Sequence, residues 1–199
     1  MKEKNNYNRI KNLVNIFLHE FYRTKEIVPS FPIDIEGIVK YLDYNTTFYN
    51  LKDGVNAITD MISRVIFISN KTNPYKYRAM LGRYNFTLAH EIGHIILHEK
   101  IYFKLLNEKN NNGKVEEITD NENIEREADF FAANLLLPID LLKHEFKKNF
   151  GDKRIIIKGD KFYPDFSSSI IDFFKNKTHA SEPAIVIALK QAGLIGVAD

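Results

Sequence analysis

Residues 86–98 read Phe-Thr-Leu-Ala-His-Glu-Ile-Gly-His-Ile-Ile-Leu-His, and this stretch decides how the fold is interpreted. Within it, His90-Glu91-x-x-His94 places two histidines four residues apart. On a helix such positions share one face, about 6 Å apart along the axis, so both imidazoles can bind one Zn²⁺ ion. Glu91 lies one step round the helix, where a general base for the attacking water is expected. The motif therefore indicates a zinc hydrolase.

The composition of the chain limits the kinds of site it can build. Its 199 residues are 44% hydrophobic, enough for one domain with a real core and a small appendage. Lys and Arg total 28 against 26 Asp and Glu, and this net charge of +2 favours no polyanionic partner. Because there is no cysteine, disulfides and thiolate zinc sites are excluded, and a metal must be held by histidine and carboxylate ligands.

The first residues, Met-Lys-Glu-Lys-Asn-Asn, are polar and lack the apolar core of a signal peptide. The longest apolar stretch, residues 184–189, is far shorter than the roughly 18 residues that a membrane span needs. We therefore expect a cytoplasmic protein without a membrane partner.

Hydrophobic spacing and turn-forming residues predict a mostly helical chain with a few strands. Residues 107–121 are polar and predict a loop, either a plain linker or a lid over the site. Helices are expected at residues 12–22, 34–42 (capped by Asp34), 73–98 (starting at Asn73-Pro74), 122–136, 138–150, 167–175 and 181–192, and strands at 47–51, 64–69 and 154–162, the last as a strand or hairpin.

Catalytic zinc needs three protein ligands and an open position, so a third ligand should come from a separate downstream element. Residues 124–138 offer Glu125, Glu127 and Asp129. Glu125 and Asp129 are four apart and share a helical face, whereas Glu127 is expected to point outward. We expect Glu125 to bind the metal and Asp129 to accept a hydrogen bond from a liganding histidine. The alternative is that these acids form a solvated helix face.

Two further residues of the motif helix carry expectations. Gly93 costs about 1 kcal/mol of helix propensity relative to alanine, which predicts that the helix containing Ala132 and Ala133 approaches closely. His98 lies a full turn beyond His94, too far to share one ion easily, so it should be a packed or hydrogen-bonded histidine. The remaining histidines lack metal-like spacing and are expected at the surface or in structural roles: His19, His144 and His179.

Two longer motifs occur together: Arg83-x-x-Phe86-Thr87-x-Ala89-His90-Glu91-x-Gly93-His94 and Glu125-x-x-Ala128-Asp129-x-Phe131-Ala132-x-x-Leu135-Leu136-x-Pro138. As a pair they resemble the ImmA/IrrE family of metallopeptidases, over roughly residues 30–150. The resemblance implies an α+β, zincin-like fold, mostly helical, with a small mixed or antiparallel sheet beside the motif helix. It also implies His90, His94 and Glu125 as ligands of zinc and Glu91 as the base. The sequence leaves Mn²⁺ and Fe²⁺ open as alternatives to zinc.

Domain organisation follows from the same comparison. Residues 1–150 are expected to form a zincin-like peptidase domain, and residues 151–199 a helical extension packed on it that resembles a degenerate helix-turn-helix. A helix that reads DNA needs Arg, Lys, Asn or Gln facing a groove. The last predicted helix offers only Lys190 and Gln191, near its far end. We therefore expect a packing or partner-binding element and no direct contact with nucleic acid.

Members of the family are intracellular endopeptidases that cut a helix-turn-helix repressor controlling mobile-element or stress genes, and the resemblance implies such a substrate here. The substrate backbone is expected to add to the sheet edge at residues 64–69. The main alternative is a metal-binding regulatory, or anti-repressor, module that binds its partner without cutting it. A zinc hydrolase with a non-peptide substrate comes next, and a DNA-binding regulator last.

Overall fold

The computed structural model describes residues 2–112, 122–152, 154–157 and 169–197. Within them the chain is mostly helical with a small mixed sheet, which confirms the α+β, zincin-like class. Two short 3-10 turns, Asn70–Thr72 and Arg78–Met80, precede the motif helix. The elements are α1 (Lys2–Lys25), α2 (Ile35–Tyr41), β1 (Asn45–Tyr49), β2 (Ala57–Asp60), β3 (Val65–Ser69), α3 (Leu81–Asn112), α4 (Glu122–Leu136), α5 (Ile139–Phe150), β4 (Ile155–Ile157), α6 (Ser169–Thr178), α7 (Glu182–Gln191) and β5 (Ile195–Val197).

The three-stranded sheet has the order β1-β3-β2, with β1 parallel and β2 antiparallel to β3. Because β3 has a neighbour on each side, the prediction that residues 64–69 form a sheet edge is wrong. The apolar run of β3 is that of a buried central strand, with Ile66 and Ile68 inaccessible to solvent. The strand β2, which the sequence pattern did not predict, is the edge that lies beside α3.

The motif helix begins and ends later than predicted. Instead of capping a helix, the Asn73 side chain accepts hydrogen bonds from the backbone of Tyr75 and Lys76, at 2.9 and 3.3 Å, and closes a turn. The helix α3 starts at Leu81 and continues to Asn112, so residues 107–112 are helical rather than a loop. Residues 113–121 of the predicted loop lie outside the described residues.

The other elements follow the sequence more closely. Asp34 caps α2 by accepting a hydrogen bond from the Gly37 amide at 2.9 Å, and Gly151 (φ 82°) ends α5, as predicted. The bounds of α4 are those predicted, α1 extends beyond both ends of its predicted range, and β1 begins two residues early. β4 pairs in parallel with β5, so no hairpin is formed by 154–157, and residues 158–162 and 167–168 lie outside the described residues.

One buried cluster joins the helices to the sheet. It includes Val14 of α1, Leu88 of α3, Phe131 of α4 and Leu189 of α7. The division of the chain at residue 150 stays a prediction. Within the described residues, none of the helices combines the length and the apolar character that crossing a membrane requires.

The helices α3 and α4 pack closely at Gly93. A Cβ built at Gly93 would lie 3.1 Å from both Cα and O of Ala128, and 3.3 Å from Cβ of Phe131. The predicted close approach of this helix is confirmed, although it is made by Ala128 and Phe131 rather than by the two alanines that follow.

We expect Gly93→Val to destabilise the protein by about 1–3 kcal/mol, because the added carbons must displace the backbone of α4. Urea unfolding of the metal-free protein measures the change. The matched control is Lys100→Val, which places the same side chain at an exposed position of α3. Equal unfolding free energies for the two variants would contradict a tight helix contact at Gly93.

Candidate metal centre

The two motif histidines face a carboxylate of the neighbouring helix. His90 and His94 project from α3, with their Nε2 atoms 2.9 Å apart. Glu125 of α4 places Oε2 3.2 Å from His90 Nε2 and Oε1 3.4 Å from His94 Nε2. The tertiary structure thus brings together the three residues proposed as ligands from the sequence. Among the described residues, they are the one group of three or more that could hold a metal ion, with ligand atoms within 4.8 Å of one another.

The geometry and chemistry of this group fit a zinc-like ion. Zn–N distances of about 2.0–2.1 Å in a tetrahedron place ligand atoms roughly 3.3 Å apart. The observed separations of 2.9, 3.2 and 3.4 Å lie around that value. Two imidazole nitrogens and one carboxylate are a donor set that suits zinc and other divalent transition metals. Glu125 is 49% exposed, so the group opens towards solvent on one side.

Asp129 lies one helical turn beyond Glu125, with Oδ1 2.8 Å from Nδ1 of His90. Because a carboxylate accepts hydrogen bonds, Nδ1 of His90 carries the proton and Nε2 keeps its lone pair. That lone pair faces Glu125 and His94. The contact is the one expected of a residue that orients a metal-binding histidine.

Glu91 is buried beside the histidines, and its Oε2 accepts a hydrogen bond of 2.6 Å from the Thr59 hydroxyl. Burial raises the pKa of Glu91 above its ordinary value, against the lowering effects of Thr59 and His90, and the Glu125 carboxylate raises it further. A raised pKa suits a carboxylate that takes up a proton. Thr59 lies on β2, and no spacing in the sequence linked it to the motif.

His94 is held in the form that binds metals. Burial lowers the pKa of His94, and the neighbouring His90 and His98 lower it further, to about 3. The imidazole is therefore neutral at physiological pH, as metal coordination requires.

Glu127 does not point outward, and that prediction is wrong. Its Oε2 lies 3.1 Å from Nε2 of His98, and its Oε1 accepts a hydrogen bond of 2.6 Å from the side-chain amide of Asn6. The reason is tertiary: α1 and α3 both pack against α4, so this side of α4 is covered. His98 is buried, and its Nδ1 lies 3.2 Å from Nδ1 of His94, which confirms a hydrogen-bonded histidine. His19, His144 and His179 are exposed, as expected.

A cleft of about 690 Å³ opens on this group. Its wall includes the edge strand β2 and the residues on either side of it. The sequence contains ten tyrosines and did not select one for the site; among the described residues, Tyr102 is the tyrosine that lines the cleft. Apolar and aromatic side chains contribute much of the wall: Val55, Ala57, Ile58, Phe86, Tyr102 and Ile124. A largely apolar cleft with a few convergent polar groups is typical of a ligand-binding site.

Comparison with known proteins adds a fold match and a family match. A Mycobacterium tuberculosis transcriptional regulator is structurally similar, with a TM-score of 0.53 and 14% sequence identity over 92% of this chain and 49% of that one. At that identity the similarity shows the fold alone, and this chain spans about half the length of that protein. No curated protein gives a significant sequence match.

The family model Peptidase M78, described as the IrrE N-terminal-like domain, matches residues 40–170. The matched range covers the sheet, both helices of the ligand group and the cleft between them. The chain therefore belongs to the IrrE N-terminal-like family of metallopeptidases, as its two motifs had indicated.

Proposed function

We propose that this protein is a zinc-dependent endopeptidase of the cytoplasm, with the metal held by His90, His94 and Glu125 and with Glu91 as the general base. One observation carries the proposal: three ligand atoms converge beside a buried carboxylate at the wall of an open cleft. Mn²⁺ or Fe²⁺ would suit the same donors.

The chain's own residues supply the acid–base chemistry. A metal ion in this site would polarise the scissile carbonyl and lower the pKa of the attacking water. Glu91 accepts the proton of that water and delivers it to the leaving amine. The Thr59 hydroxyl holds Oε2 of Glu91, which fixes the carboxylate against the wall of the cleft. Asp129 fixes the ring of His90 in the same way.

The proposed substrate is an extended peptide that adds to the free side of β2. Both sides of β3 are paired, so addition at residues 64–69, as first expected, is excluded. Among the described strands β2 pairs only with β3, and it carries Thr59 next to Glu91. Backbone hydrogen bonds to an edge strand would position a scissile carbonyl close to the ligand group.

A helix-turn-helix repressor is the substrate we propose, with residues 151–199 serving to pack on the peptidase domain or to bind that partner. The family match supports peptide hydrolysis, and the similar fold of a transcriptional regulator supports a link with transcription. Direct DNA reading by α7 is disfavoured because the exposed positions of that helix are Pro183, Ile187 and Gln191, of which only Gln191 can hydrogen-bond to a base edge.

A second candidate function is a metal-binding regulatory module that holds its partner without cutting it. The observation in its favour is the fold shared with a transcriptional regulator. The buried Glu91 carboxylate distinguishes the two functions, because a module that only binds needs no general base.

A repressor encoded next to this gene is the substrate to test first. We expect the purified protein with one equivalent of zinc to cut it at a defined bond, and we expect a chelator to stop cleavage and added zinc to restore it. Gel electrophoresis and mass spectrometry of the fragments measure both. Cleavage that persists after the metal has been removed and shown to be absent would contradict a metallopeptidase mechanism.

A further inference from the structure

We propose that His98 is a positioning residue that acts through His94. It belongs to a hydrogen-bonded chain of side chains that runs from His94 through His98 and Glu127 to Asn6. The chain fixes the tautomer of His94 so that its Nε2 lone pair faces His90 and Glu125. This inference rests on the proposed metal centre, since its consequence is a preorganised ligand. It concerns four side chains from three helices, α1, α3 and α4.

The direction of each hydrogen bond follows from the carboxylate at the end of the chain. Glu127 can only accept, so the Nε2 of His98, 3.1 Å away, carries a proton and donates. When Nε2 of His94 binds a metal, the proton of that ring lies on Nδ1, and Nδ1 of His98 is the atom placed to accept it in a hydrogen bond. That atom lies 3.2 Å from Nδ1 of His94, which must therefore be the donor. The neutral His94 ring is left with its lone pair on Nε2.

The Nε2 atom of His94 is the one that faces the ligand group, 3.4 Å from Oε1 of Glu125. The chain thus selects the tautomer that a metal needs. His90 reaches the same state by a shorter route, since Asp129 accepts directly from its Nδ1. Each of the two histidines is therefore oriented by a carboxylate of α4, one directly and the other through an intervening imidazole.

The two routes differ in their exposure to water. The Asp129 side chain is 58% exposed, whereas that of His98 is 6% exposed and that of Glu127 is 24% exposed. Water competes poorly for hydrogen bonds in the buried route, and the low local dielectric strengthens them. If His98 is removed, water should therefore not easily supply the hydrogen bond that His94 has lost.

Asn6 secures the far end of the chain. Its amide donates a hydrogen bond of 2.6 Å to Oε1 of Glu127, while Oε2 of the same carboxylate faces His98. Both oxygens are engaged, by side chains of two different helices, so the rotamer of Glu127 is fixed. This contact couples the packing of α1 on α4 to the orientation of His94.

Zinc affinity tests the consequence of this arrangement. We expect His98→Phe, which fills the ring volume without an acceptor, to weaken Zn²⁺ binding about 10–100-fold, as is typical when the partner of a metal-binding histidine is lost. His98→Asn keeps an acceptor near the position of Nδ1 and should restore part of the affinity. Competition against a chromophoric chelator measures Zn²⁺ binding in each protein. The control is His144→Phe, the same change at an exposed histidine of α5.

The positions of the imidazole protons are measured in the Zn²⁺-loaded protein, by long-range ¹H–¹⁵N correlation spectra of the rings. We expect protons on Nδ1 of His94 and on Nε2 of His98, and we expect Glu127→Ala to abolish the preference of His98. If His98→Phe fails to fold, Glu127→Ala is used for the Zn²⁺ affinity measurement instead. It should be tolerated better because the Glu127 side chain is partly exposed.

The inference is overturned if His98 carries its proton on Nδ1, or if these variants bind Zn²⁺ as tightly as the His144→Phe control does. It is separable from the proposed metal centre. A wild-type protein that binds no Zn²⁺ would contradict the metal centre, whereas a Zn²⁺-loaded protein with the His98 proton on Nδ1 would contradict the hydrogen-bonded chain alone.

Discussion

The Glu91→Gln protein is expected to retain one equivalent of zinc and to lose cleavage of its substrate by a factor of about 10²–10⁴ or more. Glutamine has nearly the same size as glutamate and can keep the contact with Thr59, but its amide cannot take up a proton. The metal-binding group of two imidazoles and Glu125 is untouched by the change. Metal analysis of the purified protein, together with the rate of fragment release, measures both parts.

The same substitution should not destabilise the metal-free fold at neutral pH. The pKa of Glu91 is raised by burial, so the stability that its neutral form contributes is present below the unfolded pKa of about 4.5 and is lost as the pH rises through the folded pKa. Glutamine stays neutral throughout. We therefore expect the Tm of metal-free Glu91→Gln at pH 7 to equal or exceed that of the wild type.

Glu99→Gln is the matched control, because it makes the same change on α3 at a residue that faces Arg64 at 3.6 Å and does not line the cleft. It should cut its substrate as the wild type does. Undiminished proteolysis by pure Glu91→Gln protein would remove Glu91 from the mechanism. If the wild type and the Glu91→Gln variant both bind the repressor fully and neither cuts it, the regulatory module would be favoured.

Replacing His94 or Glu125 by alanine should instead remove the metal and the activity together. Each change deletes one of three converging ligands, and the remaining two give an incomplete donor set. We expect zinc affinity to fall at least about 100-fold, the upper end of the range for residues that only support a ligand. Chelator competition and metal analysis after dialysis measure the loss.

The controls for these two variants lie on exposed helix surfaces. His144→Ala replaces an exposed histidine of α5, and Glu122→Ala removes a carboxylate one turn before Glu125, where it pairs with Arg126 at 2.8 Å. Both should bind zinc as the wild type does. Stoichiometric zinc in pure Glu125→Ala protein, at unchanged affinity, would show that the third ligand has been misassigned.

The sequence by itself was sufficient for features that depend on short-range periodicity. His90 and His94 share a face because they are four residues apart on any helix, and Glu125 and Asp129 do so for the same reason. The bounds of α4 could be predicted because the polar stretch before it and Pro138 after it limit the helix. The close approach at Gly93 could be predicted because an interior glycine weakens a helix unless packing requires it.

The start of α3 could not be predicted so well, because Asn73-Pro74 fits two local structures equally. An asparagine can cap a helix or close a turn, and only the turn leaves α3 free to begin at Leu81. The strand β2 was missed because four residues with little alternation give no usable pattern. Its pairing with β3 is a local antiparallel hairpin with Asp60 opposite Val65, but the four residues that close it lack the two-residue Asn-Gly or Asp-Gly signal of a tight turn.

What the sequence determined was the set of residues able to bind a metal and the helix faces that carry them, since local geometry fixes both. Only the tertiary structure decided which of these helix faces are covered by other helices and strands. Packing of α1 and α3 against α4 turned Glu127 from a supposed surface charge into the partner of His98, and pairing of β2 with β3 brought Thr59 to Glu91. Such contacts join residues 29 and 32 positions apart, and no local periodicity encodes them.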